Sequence, residues 1–169
     1  MPNTNVFRGT DATLTLSAAD ADAPEGAAAA GFIETYALSP VGRASNVEVY
    51  VRTELETFHE IGQRHPVALR PGNIHVSGKV DRAYINGALL SLLLGQGAAT
   101  DRVAEPYAQP SFNLQLDVKD PAAPGTGSTI TVHGVKFENW SYSLPEADFV
   151  MEAVTFKGLF ITVADTVGG

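Results

Sequence analysis

A mainly β fold is what this chain predicts: an antiparallel β-sandwich or partial barrel of about seven strands with one principal α-helix. Three observations carry that expectation. Long segments alternate apolar and polar residues with a period of two, the mark of a half-buried strand. A single stretch, Asp81 to Leu94, reads as a helix of any length. Turn residues at Pro71-Gly72, at 120–127 (DPAAPGTG) and at Pro145 to Asp148 separate the alternating runs, so that neighbouring strands double back. With 169 residues, no linker and no internal repeat, residues 1–169 are expected to form one domain with a sizeable core.

The elements follow in order. Ala12 to Ser17 alternates, with Leu14 and Leu16 on one face, and reads as a short first strand. The Ala-rich segment 18–31 is broken by Pro24, Gly26 and Gly31 and reads as a mobile loop. Phe32 to Leu38 reads as a second short strand closed by Ser39-Pro40. The longest alternating run is Ser45 to His59. Val47, Val49, Val51, Thr53 and Leu55 share the face expected to meet the core, and Glu48, Tyr50, Arg52, Glu54 and Glu56 share the other. A strand this long outruns what a small domain can cover, so its polar face must be wet. Residues 60–72 form a connection of about a dozen residues, far longer than a hairpin needs, and loops of that length are more often functional than idle. Val67, Ala68 and Leu69 give it an apolar tip flanked by Arg64 and Arg70, as in a loop that docks on a partner.

The stretch from Leu69 to Gly97 organises the rest. Ile74, Val76, Gly78 and Val80 fall on one strand face, and Asp81 then reads as the N-cap of a helix ended by Gly95. That helix is apolar on nearly every side, so it must be buried on more than one side. Deep burial inside one subunit would satisfy this. Sharing with a neighbouring subunit is preferred, because no other segment reads as its cover, and Leu89, Leu92 and Leu93 are the candidate interface residues. After an irregular stretch, 96–110, come strands at Ser111–Lys119, at Thr129–Leu144 with a bulge at Gly134, and at Phe149–Ala164. The two long hairpins, 45–80 and 129–164, leave unpaired edges. A closed ring of subunits would remove them, making a ring-shaped barrel on oligomerisation.

Composition excludes several functions. A net charge of −8 with no Lys/Arg run argues against sequence-independent nucleic-acid affinity. The chain has no cysteine, hence neither disulfide nor thiolate metal site. The N-terminus lacks an apolar signal core and the run Ala88–Leu94 is too short to span a bilayer, so a soluble chain without membrane or export signal is expected. The four histidines, His59, His65, His75 and His133, show no metal-ligand spacing and read as surface residues. No G-x-S-x-G elbow or phosphate-cradling loop is present. Glu54 and Glu56 read as a solvated face rather than an acid/base pair. Trp140, Tyr142 and Tyr107 read as packing residues. No enzyme and no cofactor is expected.

Four stretches taken together, NVEVYVRTELETFHEIGQRHP, LRPGNIHVSGKVDRAYINGALLSLLL, PYAQPSFNLQLDVKD and ITVHGVKFENWSYSLPEADFVMEAVTFKGL, resemble the tail tube proteins of tailed bacteriophages. The resemblance covers Ser45 to Leu159 and leaves 18–31 outside any familiar pattern. It implies a structural virion protein of the tail, assembled in the host cytoplasm. Its homo-hexameric rings would stack into a hollow tube that conducts DNA at ejection without binding it, and sheath, tape-measure and baseplate proteins would be its other partners. Under that resemblance Arg64, Val67, Leu69 and Arg70 become the ring-stacking loop. Glu48, Arg52, Glu54 and Glu56 become candidates for the lumen, a face expected to be net negative. Six copies of a −8 chain carry about −48, a field that repels phosphate wherever it faces inward. The alternatives are the inner tube of a type VI secretion or contractile injection particle, and a monomeric β-sandwich binding module.

Overall fold

Alternation of apolar residues decides most of the architecture. The computed structural model describes residues 6–20, 22–38, 41–95 and 108–166. The expected irregular stretch lies mostly outside these residues, as do Tyr107 and Ser39-Pro40. Seven strands form: β1 (Ala12–Ala18), β2 (Ala44–Phe58), β3 (Ala68–Ala83), β4 (Phe112–Asp120), β5 (Ala123–Ser143), β6 (Met151–Gly158) and β7 (Phe160–Thr166). Among the described residues two helices, α1 (Pro24–Thr35) and α2 (Ala88–Leu94), accompany the strands, with a 3-10 turn at Gly9–Asp11. Every pairing is antiparallel, in the order β1-β4-β5-β6-β3-β2, with β7 also on β5. The sheet is not closed; β1 and β2 are its ends.

The sheet folds back on itself because β5 serves both halves. Gly127 to His133 pairs with β7, whereas Lys136 to Ser143 pairs with β6. Between them lies the expected bulge: opposite β4 the register jumps from Leu114↔Val132 to Phe112↔Val135. Gly134 at the jump has φ +65, and a Cβ there would press into Leu159, so glycine suits the corner on two counts. The single last strand expected at Phe149–Ala164 is broken at Leu159, whose N–H donates to the His133 carbonyl at 2.8 Å. The core collects side chains from both halves: Leu14, Leu16, Leu114 and Val132 from one, Val76, Val80, Val154 and Phe156 from the other. Phe112 and Phe137 meet edge to face at 4.8 Å. Gly78 leaves room for the Phe156 ring, which a Cβ would strike.

Five expectations are corrected. The segment 18–31 is not a loop throughout, because α1 starts at Pro24. Proline is harmless in a first helical turn, and the alanines that follow are the best helix formers. Gly26 is required there by the close approach of the Asp20 carbonyl. Phe32 to Leu38 is correspondingly the end of that helix, with Ala37 at φ 52 and Leu38 N–H reaching back to the Ile33 carbonyl. The principal helix does not begin at Asp81; residues 81–83 continue β3 opposite β6, and α2 is seven residues long. The connection 60–72 is also shorter than expected, since β3 already starts at Ala68 and absorbs Pro71-Gly72. Finally, α1 supplies the cover that the helix was thought to lack: Ala29, Phe32 and Ile33 join Leu89 and Leu92 in one cluster.

A buried polar group joins these parts. Arg82 and Glu152, each 1 % exposed, form an ion pair between β3 and β6. The second Glu152 oxygen accepts from Trp140 Nε1 at 2.9 Å. Arg82 donates to Asn86 Oδ1 at 3.0 Å, and the same oxygen accepts from the Ala88 N–H at the start of α2. Every partner is thus satisfied where desolvation makes an unpaired charge costly. Arg82→Leu should destabilise the chain by about 3–5 kcal/mol in urea unfolding, because it strands the Glu152 carboxylate. The double change Arg82→Leu with Glu152→Leu should cost clearly less than the two single costs together; strict additivity would show that the pair does not interact.

Candidate assembly surface

The β2–β3 hairpin is longer than the body that supports it. β6 accompanies β3 from Val76 to Ala83 only. Burial follows that register: Val76, Gly78, Val80 and Arg82 are buried, whereas residues 69–75 are all exposed. On β2, Val47 and Val49 still pack against the core, and residues 50–58 are exposed throughout. The outer part of the hairpin, with its turn at 59–67, is therefore a free arm.

The arm has two unlike faces, because Cα partners in an antiparallel ladder put their side chains on the same side. The pairs Val51↔Val76, Thr53↔Ile74, Leu55↔Pro71 and Thr57↔Leu69 make one face. A register shift between Thr53 and Leu55 keeps the apolar stripe continuous by absorbing one extra residue of β3. Val51 (52 %), Leu55 (61 %), Leu69 (57 %) and Ile74 (64 %) lie open along it. The expected valine face toward the core is thus correct for Val47 and Val49 and corrected for Val51 and Leu55. Covering what remains open of these four side chains would contribute on the order of 4 kcal/mol before ordering costs.

The opposite face carries Glu48, Tyr50, Arg52, Glu54 and Glu56. β3 adds Asp81, Lys79, Ser77, His75 and Arg70 to it through the pairs Asn46↔Asp81, Glu48↔Lys79, Tyr50↔Ser77, Arg52↔His75 and Glu56↔Arg70. Lys79 lies 3.5 Å from Glu48 and 3.6 Å from Asp81, and these two carboxylates, Asp81 foremost, raise its pKa. The Tyr50 hydroxyl donates to Glu48 at 2.9 Å, and that hydrogen bond raises the tyrosine pKa. His75 hydrogen-bonds Glu54 at 2.8 Å and holds its carboxyl below the usual value. Four carboxylates thus face Arg52, Lys79 and Arg70. The face expected to be net negative from β2 alone keeps that sign by a single charge, because the partner strand brings two cations, Lys79 and Arg70, and one more carboxylate, Asp81.

The remaining expected residues scatter. Arg64 and Val67 sit in the turn at the arm's tip, whereas Leu69 and Arg70 lie within the β3 ladder. Leu89 and Leu92 are fully enclosed by the chain's own core, and Leu93 packs against it. His59 and His65 lie at the tip, and His133 stacks on Phe160 at 4.4 Å. Among the described residues no group of three or more His, Asp or Glu is placed to hold a metal. Along its outer side β2 has no strand partner among the described residues, which leaves an open strand edge from Ala44 to Phe58. Leu55→Asp and Ile74→Asp should change the stability of the isolated chain by less than about 1 kcal/mol, since both side chains are already wet. They should abolish association in light scattering; unfolding instead would place the stripe in the chain's own core.

No family model matches the sequence, and no curated protein matches it either. Solved structures do. A chain of the anti-feeding prophage cap, described as a tube terminating cap, superimposes with TM-score 0.65 at 6% identity, covering 98% of this chain and 95% of that one. A chain of the PVC extracellular contractile injection system, in its extended sheath-tube complex, gives 0.63 at 6% identity over 96% and 94%. The SPP1 tail tube gives 0.58 at 12% identity over 96% and 81%. At such identities the likeness is one of fold: the chain has the fold found in a phage tail tube and in the tube and cap assemblies of contractile injection systems.

Proposed function

We propose that the protein is a structural tube subunit: six copies close into a ring, and rings stack into a hollow phage tail tube that conducts DNA at ejection. The observation that carries this reading is the two-faced arm, whose apolar stripe and open β2 edge have no cover among the described residues of the chain. An isolated subunit with such an edge is prone to uncontrolled pairing, and a closed ring removes the edge by symmetry. The role is architectural rather than catalytic, and its place is the virion tail. Sheath, tape-measure and baseplate proteins are its partners at the tube's outer wall, lumen and ends.

The polar face of β2 and β3 suits a conduit lining. Glu48, Arg52, Glu54 and Glu56, paired off with Lys79, His75 and Arg70, give phosphate neither a cationic track to stick to nor a large barrier to cross. Transit past such a wall needs no counterion release at each step. A second reading, the inner tube of a contractile injection particle, is favoured by the anti-feeding prophage and PVC chains, which superimpose better than the SPP1 tube. The subunit geometry is common to both, and the cargo separates them.

Negative-stain microscopy of the purified protein tests the proposal. Rings with six-fold symmetry, alone or stacked into hollow fibres, are the expected result. A protein that stays monomeric at every concentration, or that forms solid fibrils without a lumen, would overturn it.

A further inference from the structure

A cavity of about 310 Å³ lies beside the corner where β5 passes from one half of the sheet to the other. It is lined by Asp20 and Glu25 around the start of α1, by Ser111 and Asn113 around the start of β4, and by His133 and Phe160, cross-strand partners on β5 and β7. The bulge at Gly134 borders it, and such irregularities re-aim the side chains beside them. Asn113 Oδ1 holds the bulge by accepting from the Gly134 N–H at 3.3 Å.

Two kinds of surface meet in this cavity. One is flat and apolar. The Phe160 ring stacks on the His133 imidazole, with centroids 4.4 Å apart and planes 11° from parallel. The Thr162 hydroxyl fixes His133 in turn at 3.0 Å, so Phe160 is braced while staying 53 % exposed. The other surface is polar and offers donors and acceptors together. Asp20 accepts from the Asp22 N–H through one oxygen and keeps the second open. The Asn113 side-chain N–H groups and the Ser111 hydroxyl have no partner among the described residues. Glu25 is offset by Lys136 at 3.0 Å, which leaves Asp20 as the unpaired charge.

That mixture selects a ligand by its chemistry. A cation suits Asp20 but only donates, so the Asn113 N–H groups would face it without an acceptor. An anion meets Asp20 with like charge, and a purely apolar group desolvates every polar member. A pyranose ring suits all of them, because each hydroxyl both donates and accepts and the ring's C–H face is apolar enough to lie on an aromatic side chain. The volume falls at the small end of ligand sites, as one sugar unit requires. We propose that this cavity is a glycan-binding site that takes one pyranose unit, with the sugar's C–H face on Phe160 and its hydroxyls on Asp20, Asn113 and Ser111. His133 is a positioning residue that holds Phe160 flat. The site lies within one chain and goes beyond the tube reading. In a tube it would recur in every subunit, so that weak single contacts add up along a polysaccharide surface.

Saturation-transfer NMR on the purified protein, with the methyl glycosides of glucose, galactose, mannose and N-acetylglucosamine, tests the site. At least one should bind with a dissociation constant on the order of 1 mM, as a ligand of about a dozen non-hydrogen atoms does. Phe160→Ala should weaken that binding by about tenfold or more, whereas Phe160→Trp should keep or strengthen it through its larger face. Asp20→Asn should weaken it by roughly tenfold, since a charge-assisted acceptor is lost. Asp20 is exposed, so this variant carries the test if Phe160→Ala fails to fold. Binding of none of the four glycosides, or binding that Phe160→Ala and Asp20→Asn leave unchanged, overturns the site. Binding of methylguanidinium without any glycoside would mean a pocket for a basic side chain and would overturn it too. A protein that binds a glycoside but never forms rings keeps the site and loses the tube; tubes that bind no glycoside keep the tube and lose the site.

Discussion

The constraint on which this structure turns is a mismatch of length: the β2–β3 hairpin is about twice as long as the sheet that backs it. Where β6 accompanies β3, apolar residues alternate into the core, and where β6 stops at Gly158, the same alternation continues into solvent. The sequence pattern does not change at that point; only the cover does. A strand pair with one apolar face and a free edge is unfavourable in water, so natural selection retains it only where something else supplies the missing side. In the proposed tube a neighbouring copy would do so at no genetic cost. It also turns a liability into an instruction for assembly, because only a correctly placed neighbour offers both an edge and an apolar surface.

Such an arm is useful only if its base is stiff. The Arg82–Glu152 pair lies at the end of β3 away from the tip, where β3, β6, β5 and the entry to α2 meet. Its hydrogen bonds are directional, whereas apolar packing tolerates sliding, so it fixes the register of β3 against β6. A one-residue slip would bury Asp81 or Ala83 in place of Arg82 and leave Glu152 unpaired. Leu89, Leu92 and Leu93 of α2 and Ala29, Phe32 and Ile33 of α1 close the other side of the core. The body thereby has its own closed core, and in the proposed tube association would be left to the arm and the open edge.

Much of this was legible in the residues. The period-two runs placed β1, β2 and β4 closely, caught β3 and β5 without their first residues because Pro71-Gly72 and 120–127 read as turns, and ran β6 and β7 together; the phase change at Gly134 announced the bulge. The errors have physical causes. Pro24, Gly26 and Gly31 read as breakers in 18–31, yet proline belongs in a first turn and four alanines outweigh two glycines. Asp81 read as a helix cap because charge interrupts an apolar run, although the inward series Val76, Gly78, Val80 simply continues to Arg82. The matching series Glu152, Val154, Phe156 on β6 ends in the opposite charge, and the two together were the available signal for the buried pair. The polar face of β2 and its negative sign were legible, but how nearly its charges cancel was not, because that depends on which strand lies beside it. Which leucines are enclosed, and which side chains of the arm stay open, depends on tertiary cover that no local pattern records.

The central claim is that the arm is an unsatisfied part of the subunit that assembly completes. Hydrogen exchange followed peptide by peptide, on dissociated and on assembled protein, tests it most directly. Amides of β2 from Val51 to Phe58 should exchange rapidly in the dissociated chain, while those of β3 from Val76 to Arg82 and of β6 stay protected in both states. On assembly the β2 amides should become protected to a degree approaching that of β6. An arm equally protected before and after assembly, or one that still exchanges freely inside an assembled particle, would contradict the account.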